Sequence, residues 1–271
     1  MRYLFGPLPS RRYGRSLGID LCVPKTCTID CCFCQLGHTQ QATLERADRP
    51  PMVEILAELR AWLVTEQAQQ PVDFITASGS GEPTLHSRMG ELFRMVRAET
   101  PYRSLLLSNG SLFYREDVRR DAALADVVKV SLHAWDQASF ERIVHPHPEL
   151  RLDAIVEGYR KFREQFSGRL DLEVFIVPGV NDTDDAVSRI AELARAFSPD
   201  DISLNTAVRP AADAAVQACP SERLQVLSRF FGVHAHETGA QPALEGTLDA
   251  RARAAVLKRH PLQSGDRTSA N

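Results

Sequence analysis

Short apolar runs alternate with longer amphipathic segments along most of the chain. The apolar runs predict six β-strands, at residues 16–23, 72–78, 104–109, 127–132, 170–177 and 202–206. Between them, apolar residues recur at helical spacing, as Ile55, Leu59 and Trp62 do after the Pro50-Pro51 pair. The segments between strands are long enough for crossover helices, so the strands are predicted to be parallel.

This repeated order of strand and helix predicts an α/β fold, either a doubly wound sheet or a barrel. In both architectures the functional site lies at the carboxyl ends of the strands. Those ends are polar or glycine-rich in this chain, at residues 78–83, 108–110, 131–133, 178–182 and 205–206. We therefore expect these turns to line a pocket.

Composition and charge narrow the class of protein. The chain has 271 residues, of which 44% are hydrophobic and 25% charged, which excludes a collagen-like or wholly disordered chain. The formal charge of −3 means that any basic surface for nucleic acid is local. Neither a long apolar span nor a secretory signal pattern is found, so we expect a cytoplasmic protein without membrane contact.

The pattern also predicts how the chain is divided. A core domain is expected at residues 1–210, and a C-terminal extension with a short helix at 211–263. The last segment, 264–271, is small and polar and is predicted to be a disordered tail.

Five of the six cysteines, Cys22, Cys27, Cys31, Cys32 and Cys34, lie before residue 35. Such crowding in a chain of this kind favours metal binding or redox chemistry over a disulfide framework. Three of them, Cys27, Cys31 and Cys34, have the spacing C-x3-C-x2-C, and three thiolates can hold three corners of a 4Fe-4S cluster. One iron is then left open to another ligand, as in catalytic metal sites.

A structural zinc site completed by His38, Cys22 or Cys32 is the alternative. The sequence lacks a second Cys/His pair with zinc-knuckle spacing, which disfavours it. Neither Cys32 nor Cys22 fits the three-cysteine spacing. We expect Cys32 to point away from the cluster and Cys22 to be a buried strand residue.

The three-cysteine spacing, Phe33 before its last cysteine, and Gly81-Glu82-Pro83 after the second predicted strand together resemble the radical SAM superfamily. The resemblance implies a partial, open (β/α)6 barrel with a short C-terminal helical extension. It also implies a 4Fe-4S cluster on the three cysteines, whose open iron is chelated by S-adenosylmethionine. The further cofactor-binding residues that it implies are Phe33, Ser80, Gly81, Glu82, Pro83, Ser108 and Ser131.

In that family the turn equivalent to Ser80-Gly81-Glu82-Pro83 holds the methionine ammonium, and Ser80 replaces the first glycine of the family pattern. Phe33 is expected near the adenine. The strand ends at Ser108 and Ser131 resemble those that contact substrate and S-adenosylmethionine, respectively, in relatives. Many relatives have Asp where this chain has His133, so the role of that Asp is not carried over.

Further segments, among them Phe5-Gly6-Pro7, Cys34-Gln35-Leu36-Gly37 and residues 205–210, resemble an Fe-S oxidoreductase branch grouped with wyosine-forming tRNA enzymes. The implied reaction is reductive cleavage of S-adenosylmethionine to a 5′-deoxyadenosyl radical, which abstracts hydrogen from substrate. An electron donor such as flavodoxin or ferredoxin is implied. RNA bases, proteins or peptides, and small molecules stay open as substrates, and a non-catalytic zinc- or Fe-S-binding interaction module is the alternative function.

Two groups of charged residues are further candidates. Asp171 and Glu173 share one face of the fifth predicted strand. If the opposite, leucine-bearing face packs on helices, Glu173 faces the barrel interior and is a candidate for cofactor or substrate contact; the alternative is a solvent-facing acid or a salt bridge. The arginines Arg11, Arg12 and Arg15 are candidates for binding a phosphate or carboxylate.

Overall fold

The computed structural model of the chain describes residues 1–10, 12–22, 24–65, 72–232 and 235–237. These residues contain one sheet of eight strands in chain order. The strands are β1 (Leu4–Ser10), β2 (Gly14–Asp20), β3 (Phe74–Ser78), β4 (Arg103–Leu107), β5 (Val127–Ser131), β6 (Arg169–Phe175), β7 (Asp201–Asn205) and β8 (Ala235–Glu237).

Helices follow most of the parallel strands and cover the outside of the sheet. They are α1 (Met52–Thr65), α2 (Met89–Glu99), α3 (Glu116–Ala122), α4 (Gln137–Val144), α5 (Leu152–Gln165), α6 (Asp184–Arg195) and α7 (Ser221–Ser228). Two short 3-10 helices lie at Pro83–Leu85 and Arg229–Phe231. Two of the α-helices have a side-chain N-cap. Asp136 caps α4, in a capping box with Ser139, and Thr183 caps α6.

The sheet is parallel from β2 to β8, and β1 pairs antiparallel with β2. In the part of the chain that the structure describes, β1 and β8 form its two ends and do not pair with each other, so the barrel is open. All six predicted strands are present and parallel, which confirms the predicted fold class. Two further strands, β1 and β8, were not predicted, and residue 23 at the end of the first predicted strand lies outside the described residues.

The two faces of the strands have different compositions. On β6, Leu170, Leu172 and Val174 are fully buried on the face toward the helices, where they join the main hydrophobic core. The opposite face carries Asp171 and Glu173, which lie inside the barrel. Burial of the apolar face holds sheet and helices together, at roughly 25 cal/mol per Å² of apolar surface. The polar face is left to line the interior.

Part of the predicted C-terminal extension packs on the barrel. Helix α7 contributes the buried Leu224 and Leu227 to the core, and β8 pairs with β7. Residues 233–234 and 238–263 of the extension, and the predicted disordered tail, lie outside the described residues. Among the helices that the structure describes, none combines the length and apolar character that crossing a bilayer requires.

Candidate cofactor site

The predicted cysteine ligands lie on a cysteine loop (residues 24–43) that crosses the carboxyl ends of the strands. Backbone hydrogen bonds fold this loop on itself, with Cys34 N donating to Cys31 O at 3.0 Å and Thr43 N to Cys27 O at 3.0 Å. Another ties it to the end of α4, where Asp30 N donates to Val144 O at 2.8 Å. The loop is thus held both by hydrogen bonds within itself and by a hydrogen bond to α4.

The three spaced cysteines are all half-buried and unpaired with one another. Asn109 Nδ2 donates to Cys27 Sγ at 3.5 Å, and Lys25 Nζ donates to Cys34 Sγ at 3.7 Å. Burial, with a smaller contribution from the charge of Glu82, raises the pKa of Cys27 to about 11. The thiol is therefore protonated at neutral pH, and a metal that binds it must displace the proton.

Three thiols are the kind of donor set that an iron-sulfur cluster takes. Within the described ranges, no three His, Cys, Asp or Glu side chains converge closely enough to hold one ion. A cluster distributes its thiolates over different irons and needs no such convergence. His38, a residue of the zinc alternative, is exposed and pairs with Asp30 at 3.0 Å.

The other two early cysteines serve the backbone structure around the loop. Cys32 is buried, its amide donates to Ile143 O at 3.2 Å, and its carbonyl accepts from Asp213 N at 2.9 Å. Cys22 is also buried, just after β2, and its amide donates to Asp20 Oδ1 at 2.9 Å. Cys22 and Cys32 are therefore buried, whereas the three spaced cysteines are half-buried.

The Ser80-Gly81-Glu82-Pro83 turn follows β3 and packs directly against the cysteine loop. Glu82 N donates to Thr26 O at 2.9 Å, one residue before Cys27. A Cβ at Gly81 would lie 1.8 Å from that same Thr26 oxygen, so only glycine permits the contact. Pro83 begins the 3-10 helix that ends the turn. The turn and the cysteine loop are therefore fixed to each other by this hydrogen bond and close packing contact, which we call the joint.

The carboxylate of Glu82 is buried and bound on all sides by protein donors. Its Oε1 accepts from Thr84 N at 3.0 Å, Thr84 Oγ1 at 2.6 Å and Ser108 Oγ at 2.7 Å, and its Oε2 accepts from Asn109 N at 2.7 Å. Burial raises its pKa, against the effect of these donors. Glu82 and Ser108 thus connect the ends of β3 and β4. This link fixes the backbone of the two turns relative to each other.

Sequence reasoning missed Asp20, a fully buried residue at the end of β2. Its carboxylate accepts from Ser80 N at 3.0 Å and Ser80 Oγ at 2.6 Å. Ser80, the departure from the family's glycine, therefore uses its hydroxyl to hold the turn against β2. An acid directly after the apolar run from Leu17 to Ile19, at the end of a strand, is the signal that identifies such a residue.

Phe33 lies between β5 and β6 inside an aromatic group. Its ring stacks on Phe175 at a centroid distance of 4.2 Å and meets His133 edge-on at 4.9 Å. Phe175 N donates to His133 Nδ1 at 2.9 Å, so in the neutral ring the proton is on Nε2. Burial lowers the pKa of His133 to about 4, which keeps it neutral at physiological pH.

Ser131 ends β5 beside the cysteine loop. It is half-buried, and its carbonyl accepts from Tyr159 Oη at 2.9 Å. A cavity is lined by Ser131, Ile29 of the loop, Asn109 and His133, and also by apolar and aromatic residues of α4 and α5, among them Phe140 and Tyr159. The structure thus brings the ends of β4 and β5 and the cysteine loop to one cavity, whereas the predicted polar turns at 78–83, 178–182 and 205–206 are not part of its lining.

Glu173 faces the barrel interior but is held by two cations. Its Oε1 accepts from Arg12 Nη2 at 2.8 Å, and its Oε2 accepts from Lys129 Nζ at 2.6 Å. Burial alone would raise the pKa of Glu173, but these two positive charges hold it well below the usual range. The interior orientation and the salt bridge, which the sequence posed as alternatives, occur together. Lys129 was not identified from the sequence.

Replacing Glu173 with Gln should destabilise the protein strongly, because Lys129 and Arg12 would keep their charges inside the barrel without a counter-ion. Breaking a buried ion pair in this way costs about 3–5 kcal/mol. Urea unfolding of Glu173→Gln measures the loss. The matched control is Glu164→Gln, which removes an exposed partner of Arg160 and should change stability little.

The same carboxylate predicts the pH dependence of stability. A depressed folded pKa stabilises the protein above the unfolded value, about 4.3 for Glu, and this contribution is lost as the pH falls below it. The free energy of unfolding of Glu173→Gln should therefore fall less steeply on acidification than that of the wild type. Parallel curves for the two proteins would contradict the assignment.

Comparison with known proteins identifies relatives across most of the chain. The model of the radical SAM superfamily matches residues 21–194, more than half of the chain. A UPF0026 protein of Methanocaldococcus jannaschii is 30% identical over 233 residues, 86% of this chain and 71% of that protein. A protein named GTPase Obg from Brachyspira hyodysenteriae is 34% identical over 228 residues, 84% of this chain. The chain spans only 33% of that relative's length.

Solved structures show the same fold. A radical SAM methyltransferase from Sphaerobacter thermophilus superimposes with a TM-score of 0.64 at 19% identity, covering 84% of this chain and 67% of that one. Streptococcus suis SuiB bound to S-adenosylmethionine gives a TM-score of 0.59 at 12% identity, covering 84% and 51%. The predicted cofactors, a 4Fe-4S cluster and S-adenosylmethionine, are those of this family. The chain belongs to the radical SAM superfamily and, within it, is related to the UPF0026 proteins.

Proposed function

We propose that this chain is a radical SAM enzyme whose 4Fe-4S cluster is held by Cys27, Cys31 and Cys34. When bound and reduced, the cluster supplies one electron that cleaves the sulfonium–C5′ bond of S-adenosylmethionine into methionine and a 5′-deoxyadenosyl radical, which takes a hydrogen atom from substrate. The electron comes from a separate donor such as flavodoxin or ferredoxin. Family membership and the three-thiol loop support this assignment.

The observation that carries the proposal is the joint between the cysteine loop and the Ser80–Pro83 turn. Glu82 N donates to Thr26 O, and Gly81 packs on the same carbonyl with no room for a side chain. A loop that carries the three proposed ligands is thereby fixed against a turn that resembles the family's methionine-binding motif, with Ser80 in place of the first glycine. Such preorganisation orients a ligand that must contact both at once.

The surrounding residues have defined tasks in this proposal. Asn109 and Lys25 donate to two of the sulfurs, and such hydrogen bonds tune a bound cluster. Ser131 and the neutral His133 present polar groups to the cavity beside the loop. Phe33, with Phe175 behind one face, excludes water from this end of the barrel and offers an apolar contact to an adenine ring.

Two features of the sequence bear on the class of substrate. Resemblance to the branch grouped with wyosine-forming tRNA enzymes favours an RNA base, whereas the net charge of −3 favours a protein, peptide or small molecule. Salt-dependent binding of tRNA at low ionic strength separates the first class from the others.

Anaerobically reconstituted protein should bind about four irons per chain and release 5′-deoxyadenosine when given S-adenosylmethionine and dithionite. Iron analysis and chromatography of the nucleoside product measure the two outcomes. Material that takes up zinc but no iron would overturn the enzyme assignment in favour of the non-catalytic module. A cluster that forms without nucleoside release would leave an Fe-S-binding protein and refute the radical chemistry.

A further inference from the structure

A second cavity opens at the opposite end of the barrel, at the amino ends of β3 to β6. It lies below the turn that joins β1 to β2. Its lining includes three arginines, two aromatic rings and one acid, namely Arg12, Arg103, Arg169, Tyr13, Phe74 and Asp73. We call this space the mouth cavity. Positive charges in its lining outnumber negative ones by three to one, although the whole chain is acidic.

The arginines of the mouth cavity differ in how far they are already neutralised. Arg12 pairs with Glu173 at 2.8 Å, and Arg169 pairs with Asp171 at 2.7 Å. Arg103 is exposed and forms no ion pair with any described residue. The lining acid, Asp73, accepts from the backbone amide of Arg15 at 2.7 Å. Arg103 is thus the one arginine of the lining without an ion pair to a described residue, and Asp73, whose bond to an amide leaves its charge in place, is the one acid of the lining without such a pair.

Aromatic rings hold the guanidinium groups in place. Arg103 lies over the Phe74 ring at 5.1 Å, and Arg12 lies over the Tyr13 ring at 5.8 Å. The two rings contact each other edge to face, with centroids 5.8 Å apart. Stacking reduces the side-chain entropy that an arginine loses on binding, and its planar fork matches the oxygens of a phosphate.

The mouth cavity is separated from the candidate cofactor site by the charged cluster inside the barrel. Along β5, Val127 lines the mouth and Ser131 lies at the cofactor end, about 13 Å away at 3.3 Å per residue. Lys129, between them on the same face, is buried and pairs with Glu173, which also pairs with Arg12. An anion bound at the mouth therefore does not reach the cofactor end, and the cavity is a second site.

We propose that the mouth cavity binds the phosphate group of a small phosphorylated ligand, with Arg103 as its main contact. Phosphate is the group whose charge and oxygen geometry match a free guanidinium fork. A small ligand fits a concave cavity whose lining holds one unpaired guanidinium, whereas a nucleic acid strand requires a basic track along its backbone. Of the arginines that the sequence analysis proposed as anion-binding residues, Arg12 lines the cavity and Arg11 lies outside the described residues.

Titration calorimetry of the full chain with inorganic pyrophosphate at low salt tests the site. The wild type should bind saturably, and Arg103→Ala should weaken binding at least about tenfold, the loss of one charge-assisted contact. Arg103→Lys should retain the charge but recover only part of the affinity. The matched control is Arg94→Ala, an exposed arginine on α2 away from the cavity, which should bind like the wild type.

Three results would overturn the proposal. They are absence of saturable pyrophosphate binding, equal weakening by Arg94→Ala, and Arg103-dependent binding of a single-stranded RNA oligomer by protein that does not bind pyrophosphate. None of these measurements requires a cluster, a reductant or S-adenosylmethionine. Failure here is therefore distinguishable from failure of the proposed enzyme function.

Discussion

Replacing Cys27 with Ala should abolish both iron binding and release of 5′-deoxyadenosine. Cys27 is one of three proposed ligands, and its sulfur lies 3.5 Å from Asn109 Nδ2 at the centre of the site. Loss of a residue that merely supports a ligand lowers metal affinity about 10–100-fold, and loss of the ligand itself should cost more. Iron content after anaerobic reconstitution and nucleoside release per chain measure the effect.

The matched control for this variant is Cys32→Ala, which removes a thiol from the same loop. Cys32 is held through its backbone, by contacts with Ile143 and Asp213 that the substitution preserves. We expect its iron content and nucleoside release to stay close to the wild-type values. Loss of iron in Cys32→Ala equal to that in Cys27→Ala would contradict the assignment of the three ligands.

Replacing Gly81 with Ala should separate the cysteine loop from the turn that follows β3. The added Cβ would lie 1.8 Å from Thr26 O and 2.7 Å from Thr26 C, both of them backbone atoms that no rotamer change can move away. Overpacking of this kind costs about 1–3 kcal/mol of stability. We also expect a large loss of cluster assembly, measured as iron bound per chain, because Thr26 directly precedes Cys27.

A second glycine variant separates backbone strain from the loss of this contact. Gly179 has a φ of +74°, and a Cβ there would meet no atom within 4 Å. Gly179→Ala should therefore lower stability by about 1 kcal/mol through strain alone and leave iron binding unchanged. If both variants lose iron equally, general destabilisation explains the loss and the joint has no special role.

The sequence predicted the parallel strands well because each combines an apolar face with a polar end. It did not predict β1, whose Gly6, Pro7 and Pro9 are residues that normally interrupt strands. These residues are tolerated at the end of the sheet, where one side of the strand needs no ladder. Nor did it predict β8, whose three residues are too few to show a period.

For the site, the sequence could identify residues that carry a motif but not those defined by their partners. The cysteine spacing and the Gly81-Glu82-Pro83 turn are local patterns. Lys129 is recognisable only when the fold brings it to Glu173, which is 44 residues away. The acid at the end of β2 signals Asp20, but its partner Ser80, 60 residues away, is seen only in the fold. The salt bridge of Glu173 likewise depends on a tertiary contact that no local pattern contains.

The position of β1 at the edge of the sheet bears on self-association. An unpaired strand border exposes amide hydrogens that can recruit a strand of another molecule. Here Glu58 of α1 accepts from the amides of Arg2, Tyr3 and Leu4, at 2.8 to 3.3 Å. Further along, Pro7 and Pro9 have no amide hydrogen to offer. This border is therefore a poor template for intermolecular pairing, which protects the protein from aggregation along β1.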